Sequence, residues 1–195
     1  MIDLPPDAAL IADTPRLRLV PAVAADAPEL FHLLNDQRLH EFTGGTPLGE
    51  TELTDRLRRR EDRRSADGKE IVLDWVVRLV PLGEAIGMVS ATVTDVGDAE
   101  LSWTIGRGWQ AHGFGIEASG AMVRLLEAHA GVCVLRAAIS ARHVAARRIA
   151  TRLGMQPTGA RHGRLDVWEG EAYPVTEGVT AAARAAATPG GRRRR

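Results

Sequence analysis

Two glycines, one residue apart, are the first feature of this sequence that could do chemistry. Gly113 and Gly115 lie in the segment QAHGFG, between a run that alternates like a β-strand and a run with helical spacing. A strand that enters a helix through such a turn leaves the first helical N–H groups without acceptors, and the helix dipole makes that end attractive to anions. The segment therefore predicts that a phosphate approaches the amides of residues 111–116. An ordinary tight turn would explain the glycines equally well.

Two common phosphate-binding motifs do not match this segment. The dinucleotide-binding fingerprint requires G-x-G-x-x-G, but Ala118 stands at the third glycine position, and the next predicted strand ends in Ser140 rather than in an acidic residue. The sequence also has no run of the Walker form G-x-x-x-x-G-K-[ST]. A dinucleotide site and a Walker-type nucleotide site are therefore both disfavoured.

The elements that must position the glycines follow from the spacing of apolar residues. Alternation predicts strands over PRLRLVPA, EIVLDWVVRLV, EAIGMVSATVT and AELSWTI. Helical spacing predicts helices over DAPELFHLLNDQRL, TELTDRLRRREDRRSADG, GFGIEASGAMVRLLEAHAG and HVAARRIATRLG. VCVLRAAIS predicts a strand that is buried on both faces, and a final strand pair follows it. This order predicts an α+β fold with a mixed, largely antiparallel sheet, flanking helices and a central strand–helix–strand unit.

The length of 195 residues suits one domain, which we place at residues 14–176. Residues 1–13 are predicted to be a flexible lead-in, and residues 177–195 a flexible Ala/Arg-rich tail. Cys133 is the one cysteine and lies in an apolar run, so a buried thiol without a disulfide is expected.

The charge balance bears on possible partners. The formal net charge is +0, so no overall attraction to nucleic acid or to an anionic membrane is expected. The arginines of residues 58–64 alternate with acidic residues, which is typical of a solvated helix face. No stretch approaches the ~20 apolar residues of a membrane-spanning helix, and the first residues lack a signal-peptide pattern. The sequence therefore predicts a cytoplasmic protein without a metal, a membrane or a nucleic-acid partner.

Several segments resemble one known family. QAHGFG matches the Q/R-x-x-G-x-G/A signature of the GCN5-related N-acetyltransferase (GNAT) superfamily, and AELSWTIGRGWQAHGFGIEAS resembles the acyl-coenzyme A segment of its RimJ/RimL-like ribosomal-protein group. TPRLRLVP, ARHVAARRIATRLGMQPTG and DVWEGEAYPV resemble further segments of that group in the same order, so the similarity covers about residues 14–176. The resemblance implies a single-domain GNAT-like fold.

The resemblance also implies an activity. We expect an acetyl-CoA-dependent N-acetyltransferase, an acyltransferase that passes the acetyl group directly to a primary amine. The acceptor is expected to be a protein or peptide N-terminus. A small-molecule amine acetyltransferase and a non-catalytic acyl-CoA-binding module stay open as alternatives, and so does a homodimer.

The resemblance further implies a set of cofactor-binding residues. The backbone next to the pantetheine arm is expected at Trp103, Thr104 and Ile105. The pyrophosphate is expected on the amides that follow Gln110, namely those of Ala111, His112, Gly113, Phe114, Gly115 and Ile116. Gln110 is expected to shape the turn, and His143 and Arg148 on the penultimate helix are further candidates.

Transfer of an acyl group to an amine requires that the ammonium lose a proton. Glu100, on the polar face of its strand, is the first candidate for the general base. The RimJ/RimL-like group commonly carries Asn, and Ser three residues later, where this chain has His143 and Ala146. His143 is therefore a candidate for acid–base chemistry or for a hydrogen bond to the pantetheine arm. The proton donor to the leaving thiolate stays unassigned, and Glu117 is predicted to be structural because its charge suits the helix dipole.

Overall fold

The structure, a computed structural model, describes residues 6–172. In this range the helices are α1 Ala27–Leu34, α2 Glu50–Arg60, α3 Phe114–His129 and α4 Val144–Arg152. The strands are β1 Ala12–Asp13, β2 Leu17–Pro21, β3 Ile71–Leu79, β4 Ala85–Val93, β5 Asp98–Ile105, β6 Val134–Ile139, β7 Gln156–His162 and β8 Leu165–Glu171. The predicted tail, residues 177–195, lies outside the described residues.

All of these strands form one sheet, in the order β1-β2-β3-β4-β5-β6-β8-β7. Neighbouring strands are antiparallel except β5 and β6, which run parallel. Parallel neighbours cannot be joined by a tight turn, and α3 supplies the crossover between them. The predicted α+β fold, with a largely antiparallel sheet and a central strand–helix–strand unit, is confirmed.

Helices cover both faces of the sheet. Odd-numbered residues of β3, β4 and β5, such as the buried Trp75 and Leu101, pack in one core with α3 and α4. Most even-numbered residues of these strands point to the opposite face, where Val76 packs with Leu30 of α1 and Leu57 of α2. We call these the α3 face and the α2 face. The alternation along β5 places its polar residues on the α2 face.

The predicted flexible lead-in is packed over its described part. A 3-10 turn at Asp7–Leu10 leaves Leu10 only 1% exposed, and β1 pairs with β2 at the edge of the sheet. The indole N–H of Trp75 donates to the carbonyl of Leu10 at 2.8 Å. Residues 7–13 therefore belong to the domain. So short a segment carries no periodicity from which this packing could be predicted.

Two predictions about burial near β6 are corrected. Burial alternates along β6 instead of covering both faces, because α1 and α2 pack mainly over β3 and β4. Cys133 is exposed, not buried, because it precedes β6 in the connection from α3. The apolar composition of the run concealed both features.

The ends of the helices follow the glycines. Gly131 follows α3 with φ +59°, and Gly154 follows α4 with φ +82°, a left-handed conformation that favours glycine after a helix. α2 is shorter than predicted and ends at Arg60. Among residues 6–172 there is no helix with the length and apolar character needed to cross a membrane.

Candidate active site

A cleft opens between β5 and β6. The two strands pair over only three residues, and the last pair is Glu100 with Arg136. β6 continues to Ile139 and pairs with β8 along its whole length, so it diverges from the rest of β5. Because parallel strands end at the same edge of a sheet, α3 and α4, which follow them, both begin beside this cleft.

The edge of β5 that faces the cleft has free backbone groups at Trp103. The N–H of Gly106 donates to the carbonyl of Ile86 on β4 at 2.8 Å, which fixes the register of pairing. In an antiparallel pair the hydrogen-bonded residues alternate, so Thr104 directs its N–H and C=O to β4. Trp103 and Ile105 direct theirs to the opposite side, into the cleft. Of the three residues predicted to contact the pantetheine arm, Thr104 thus has its backbone N–H and C=O engaged with β4.

The loop after β5 is closed by Gln110. Its side-chain amide donates to the carbonyl of Ile105 at 2.9 Å, so this residue shapes the turn as predicted and occupies that carbonyl. Ala111 has φ +65° and Gly113 has φ +82°. A left-handed Ala is strained, whereas Gly113 adopts this conformation at no steric cost. The loop is therefore held in a defined shape before α3 begins.

The start of α3 leaves its amides open. Gly113 is the N-cap and offers no side-chain oxygen, so the N–H groups of Phe114, Gly115 and Ile116 have neither an intrahelical acceptor nor a cap. A Cβ on Gly115 would lie 2.8 Å from Cδ1 of Ile149 on α4. The first glycine thus serves the backbone turn, and the second lets α4 approach α3.

Glu117 anchors the loop to the start of β2. Its carboxylate accepts hydrogen bonds from Thr14 Oγ1 at 2.6 Å and from Arg16 Nε at 2.7 Å. The Arg16 guanidinium also donates to the carbonyl of His112 at 3.0 Å and so holds the loop directly. Burial alone would raise the pKa of Glu117. The hydrogen bonds from Thr14 and Arg16 and the guanidinium charge lower the pKa by more than burial raises it, so it lies below 4.5. The predicted structural role of Glu117 agrees with these contacts.

Aromatic side chains pack the underside of the loop. Phe114 is buried, with the Arg16 guanidinium 4.6 Å from its ring centre and Trp109 at its edge, 6.5 Å between ring centres. His112 is exposed, stacks on Phe114, and its Nδ1 lies 2.7 Å from the carbonyl of Gln110. Neither side chain presents a reactive group to the cleft. Their predicted contribution is the backbone amide alone.

The start of α4 is built around His143. This residue is the N-cap but makes no side-chain capping bond, and its ring stacks on Phe42 at 4.4 Å between centres. Burial lowers the pKa of His143, and the opposing charge of Glu41 only partly offsets this. The imidazole is therefore neutral at neutral pH. Ala146 is 5% exposed and carries no hydroxyl.

Two arginines of α4 differ in their surroundings. Arg147 donates to the carbonyl of Ala141 at 3.2 Å and lies over the ring of Trp168. Arg148 is exposed and directly precedes Ile149, the residue that packs against Gly115. The predicted contact of Arg148 with the cofactor stays a prediction.

The connection between α1 and α2, residues 35–49, spans the cleft on the α2 face. Asp36 lies 3.7 Å from Arg107, which follows β5, and Glu41 lies 3.9 Å from Arg142, which follows β6. The Phe42 ring adds the contact with α4. This connection thus meets both sides of the cleft, and no periodicity in residues 35–49 predicts these contacts.

The polar residues of β5 share the α2 face with a carboxylate that the sequence analysis missed. Glu100 and Ser102 are exposed, and Thr104 is half-buried. Asp74 of β3 is 7% exposed on the same face and pairs with Arg60 of α2 at 3.0 Å. An Asp inside an apolar strand pattern is a signal that could have identified it. Residues 6–172 contain no group of three or more potential metal ligands.

Comparison with known proteins defines the family. The chain belongs to the GNAT acetyltransferases, because the acetyltransferase (GNAT) domain family matches residues 16–156. RimL, a ribosomal L7/L12 alpha-N-protein acetyltransferase solved with coenzyme A, is similar with a TM-score of 0.72 and 12% identity, over 85% of this chain and 99% of that one. The aminoglycoside acetyltransferase AAC(6')-Ib, also solved with coenzyme A, gives 0.66 and 17%, over 80% and 94%.

A GNAT-family acetyltransferase from Bacillus anthracis is similar to the same degree, with a TM-score of 0.66 and 14% identity over 82% of this chain and 95% of that one. A search of curated proteins found no match to the chain. Identities at this level establish the fold and leave the acceptor open.

Proposed function

We propose that the protein transfers an acetyl group from acetyl-CoA to a primary amine, and that the amine is the N-terminus of a protein or peptide. One observation carries the proposal. A cleft with free backbone groups on one strand opens directly beside a helix start with free amides. A coenzyme A molecule has a matching order of groups, a pyrophosphate followed by an amide-bearing arm that ends in the thioester.

The residues present fit this cofactor. The amides of residues 111–116 surround an uncapped helix start, which suits the pyrophosphate. The N–H and C=O of Trp103 face the cleft and can pair with the amides of the pantetheine arm, as a neighbouring strand would. Ile105 contributes its N–H, since Gln110 occupies its carbonyl. His143 at the N-cap of α4 and Arg148 in the same helix are the candidates for further contacts with the cofactor.

When bound, acetyl-CoA supplies an acyl group activated as a thioester. The protein then has to orient the two reactants, exclude water and remove a proton from the acceptor ammonium. Glu100 is the predicted general base, since it is exposed at the last paired position of β5, at the closed end of the cleft. The neutral ring of His143 can accept or donate a hydrogen bond but adds no charge at neutral pH.

The acceptor approaches from the α2 face. Residues 35–49 meet both sides of the cleft there, so their side chains line its approach and contribute to the choice of amine. A similarity of fold to RimL supports a peptide acceptor, and the similarity to AAC(6')-Ib makes a small amine the alternative.

The test measures free thiol released from acetyl-CoA by the purified protein. The acceptors are peptides with free N-termini, the same peptides acetylated at the N-terminus as matched controls, and kanamycin as a small polyamine. Thiol release with the free peptides alone is the expected result. Release with kanamycin alone would support the small-amine acetyltransferase.

A non-catalytic acyl-CoA-binding module is the second candidate. The buried Ala146 favours it, because no hydroxyl stands there to protonate a leaving thiolate. Such a module would bind acetyl-CoA in calorimetry and release no thiol with any of these amines. That result would overturn the proposed activity while leaving the proposed cofactor site intact.

A further inference from the structure

Arg164 is a cation without a partner on the approach to the proposed acceptor site. It lies in the turn of the β7–β8 hairpin, and its side chain makes no hydrogen bond or ion pair with any of residues 6–172. The turn is held by Arg161 instead, which lies 3.3 Å from Asp166 and donates to the carbonyl of Arg164 at 3.2 Å. The hairpin therefore does not use the Arg164 guanidinium for its own structure.

The guanidinium of Arg164 reaches the connection between α1 and α2. A Cβ on Gly44 would lie 3.7 Å from Arg164 Nη2, an ordinary contact distance. The connection is held in a defined shape at this point. The N–H of Gly44 donates to the carbonyl of His40 at 2.8 Å, and Gln37 Nε2 donates to the carbonyl of Gly45 at 2.9 Å. Gly44 has no side chain to cover the exposed guanidinium, so the donors of Arg164 stay accessible to a ligand.

This contact lies on the acceptor side of the cleft and not beside the proposed pyrophosphate site. β6 separates β8 from β5, and the start of α3 follows β5. Another cation on this side, Arg142, has a carboxylate of the connection nearby, that of Glu41 at 3.9 Å. Arg164 has no such carboxylate among the described residues, so an anionic group of the acceptor can supply it.

The register of the sheet relates Arg164 to the predicted general base. Glu100 lies opposite Arg136, and Arg136 lies opposite Glu169, so the three residues form one row on the α2 face. Arg164 precedes Glu169 by five residues along the chain, which is about 16 Å for an extended strand. An extended peptide with its α-amine at Glu100 covers this distance in roughly five residues. An acidic side chain at the fourth or fifth position of the acceptor would therefore meet Arg164.

We propose that Arg164 selects the acceptor by binding a carboxylate, so that the acceptor is a protein or peptide with an acidic residue at about its fourth or fifth position. The inference rests on the proposed function, since it requires an amine at Glu100. A guanidinium binds a carboxylate through two parallel hydrogen bonds, which gives direction as well as affinity. A polycation such as kanamycin offers no group for this contact and is repelled by the unpaired charge.

The experiment uses hexapeptides that have a free N-terminus and a randomised first residue. Three pools carry Glu, Gln or Lys at positions four and five and are otherwise identical. Thiol release from acetyl-CoA by the full chain gives kcat and KM for each pool. We expect kcat/KM to be about fivefold higher for the Glu pool than for the Gln pool, and lowest for the Lys pool. The difference should lie in KM, because the contact is the same in the ground state and the transition state.

Variants of Arg164 assign the preference to this residue. Arg164→Gln should treat the Glu and Gln pools alike, Arg164→Lys should keep part of the preference, and Arg164→Glu should favour the Lys pool. Arg59→Gln is the matched control, since Arg59 is an exposed arginine of α2, and it should keep the wild-type preference. Thermal melting of Arg164→Gln should equal that of the wild type, because the guanidinium has no partner among the described residues.

Three results would overturn the selection by Arg164 and leave the proposed function standing. They are equal kcat/KM for the Glu and Gln pools in the wild type, a Glu preference that persists in Arg164→Gln, and a lower melting temperature of Arg164→Gln with an equal loss of activity toward all pools. A protein that binds acetyl-CoA and releases no thiol with any pool would remove the peptide acceptor and the selection together. Thiol release with kanamycin alone would do the same.

Discussion

The starts of α3 and α4 border the same cleft and are built in opposite ways. α3 begins at Gly113, where the first amides are uncapped and the preceding loop is held by Arg16 through its bonds to Glu117 and to the His112 carbonyl. α4 begins at His143, whose ring is covered by Phe42 from the distant connection between α1 and α2. One start presents its backbone to a ligand, and the other presents side chains that are held by tertiary contacts.

This difference separates the two tasks of an acetyltransferase. A pyrophosphate needs only amides in a fixed arrangement, so the α3 start depends on its glycines and on contacts outside the site. These are the contacts of Glu117 with Thr14 and Arg16, which we call the clamp. The chemistry at the thioester needs side chains, and these come from several elements. Changes at α3 should therefore act on cofactor affinity and stability, and changes at α4 on the surroundings of His143.

The largest effect is expected at the clamp. Glu117→Gln removes the charge that Arg16 and Thr14 bind, so we expect a loss of about 2 kcal/mol in the free energy of unfolding, measured by urea titration. Glu84→Gln, at an exposed turn, is the matched control and should change this free energy by less than about 0.5 kcal/mol.

The pH dependence sharpens this prediction. The pKa of Glu117 is lowered in the fold, so its stabilisation is complete above the ordinary value of 4.5 and is lost as the pH falls through the folded pKa. The difference in the free energy of unfolding between wild type and Glu117→Gln should therefore be constant near neutral pH and disappear in acid. A difference in the free energy of unfolding that persists unchanged in acid would contradict a stabilising role of the Glu117 charge.

The next effect compares two glycines of one helix. Gly115→Ala places a Cβ 2.8 Å from Ile149 and should weaken acetyl-CoA binding by roughly tenfold, about 1.4 kcal/mol. Gly120→Ala meets only the end of Arg124, at 3.6 Å, and should stabilise α3 by about 0.5–1 kcal/mol without a change in affinity. Calorimetric titration and thermal melting measure the two quantities. If both variants bind acetyl-CoA with equal affinity, Gly115 is not part of the cofactor site.

The smallest effect is expected at α4 and is visible only as a pH dependence. Burial keeps the pKa of His143 below 6.5, so the unfolded chain binds more protons and stability falls as the pH drops below that value. His143→Asn, which removes the titratable ring, should lose less stability than the wild type between about pH 6.5 and pH 5. Parallel curves for the two proteins would show that the imidazole is not desolvated in solution.

The strands and the open helix start could be predicted from local sequence, because each depends on neighbours along the chain. The alternation in β3 and β5 predicted which residues lie on each face, and Gly113 marked the left-handed turn. The bond from Gln110 to Ile105 is equally local, five residues apart.

The remaining features depend on contacts between distant segments. The stack of Phe42 on His143, the contact of Arg16 with Glu117 and the hydrogen bond from Ser90 to Asp74 each join different elements. No periodicity encodes such pairs, because they follow from the order of strands and from the path of a loop. Leu10 is a similar case, since it becomes a core residue only when β1 joins the sheet edge.

The most direct test of the account compares the binding of acetyl-CoA with that of acetyl-pantetheine, which has the thioester and the arm but no pyrophosphate. If the amides of residues 111–116 hold the pyrophosphate, its removal costs at least two charge-assisted hydrogen bonds. Calorimetric titration should then show that acetyl-pantetheine binds at least about 100-fold more weakly than acetyl-CoA. Equal affinity for the two ligands would contradict the assignment of the α3 start as the pyrophosphate site.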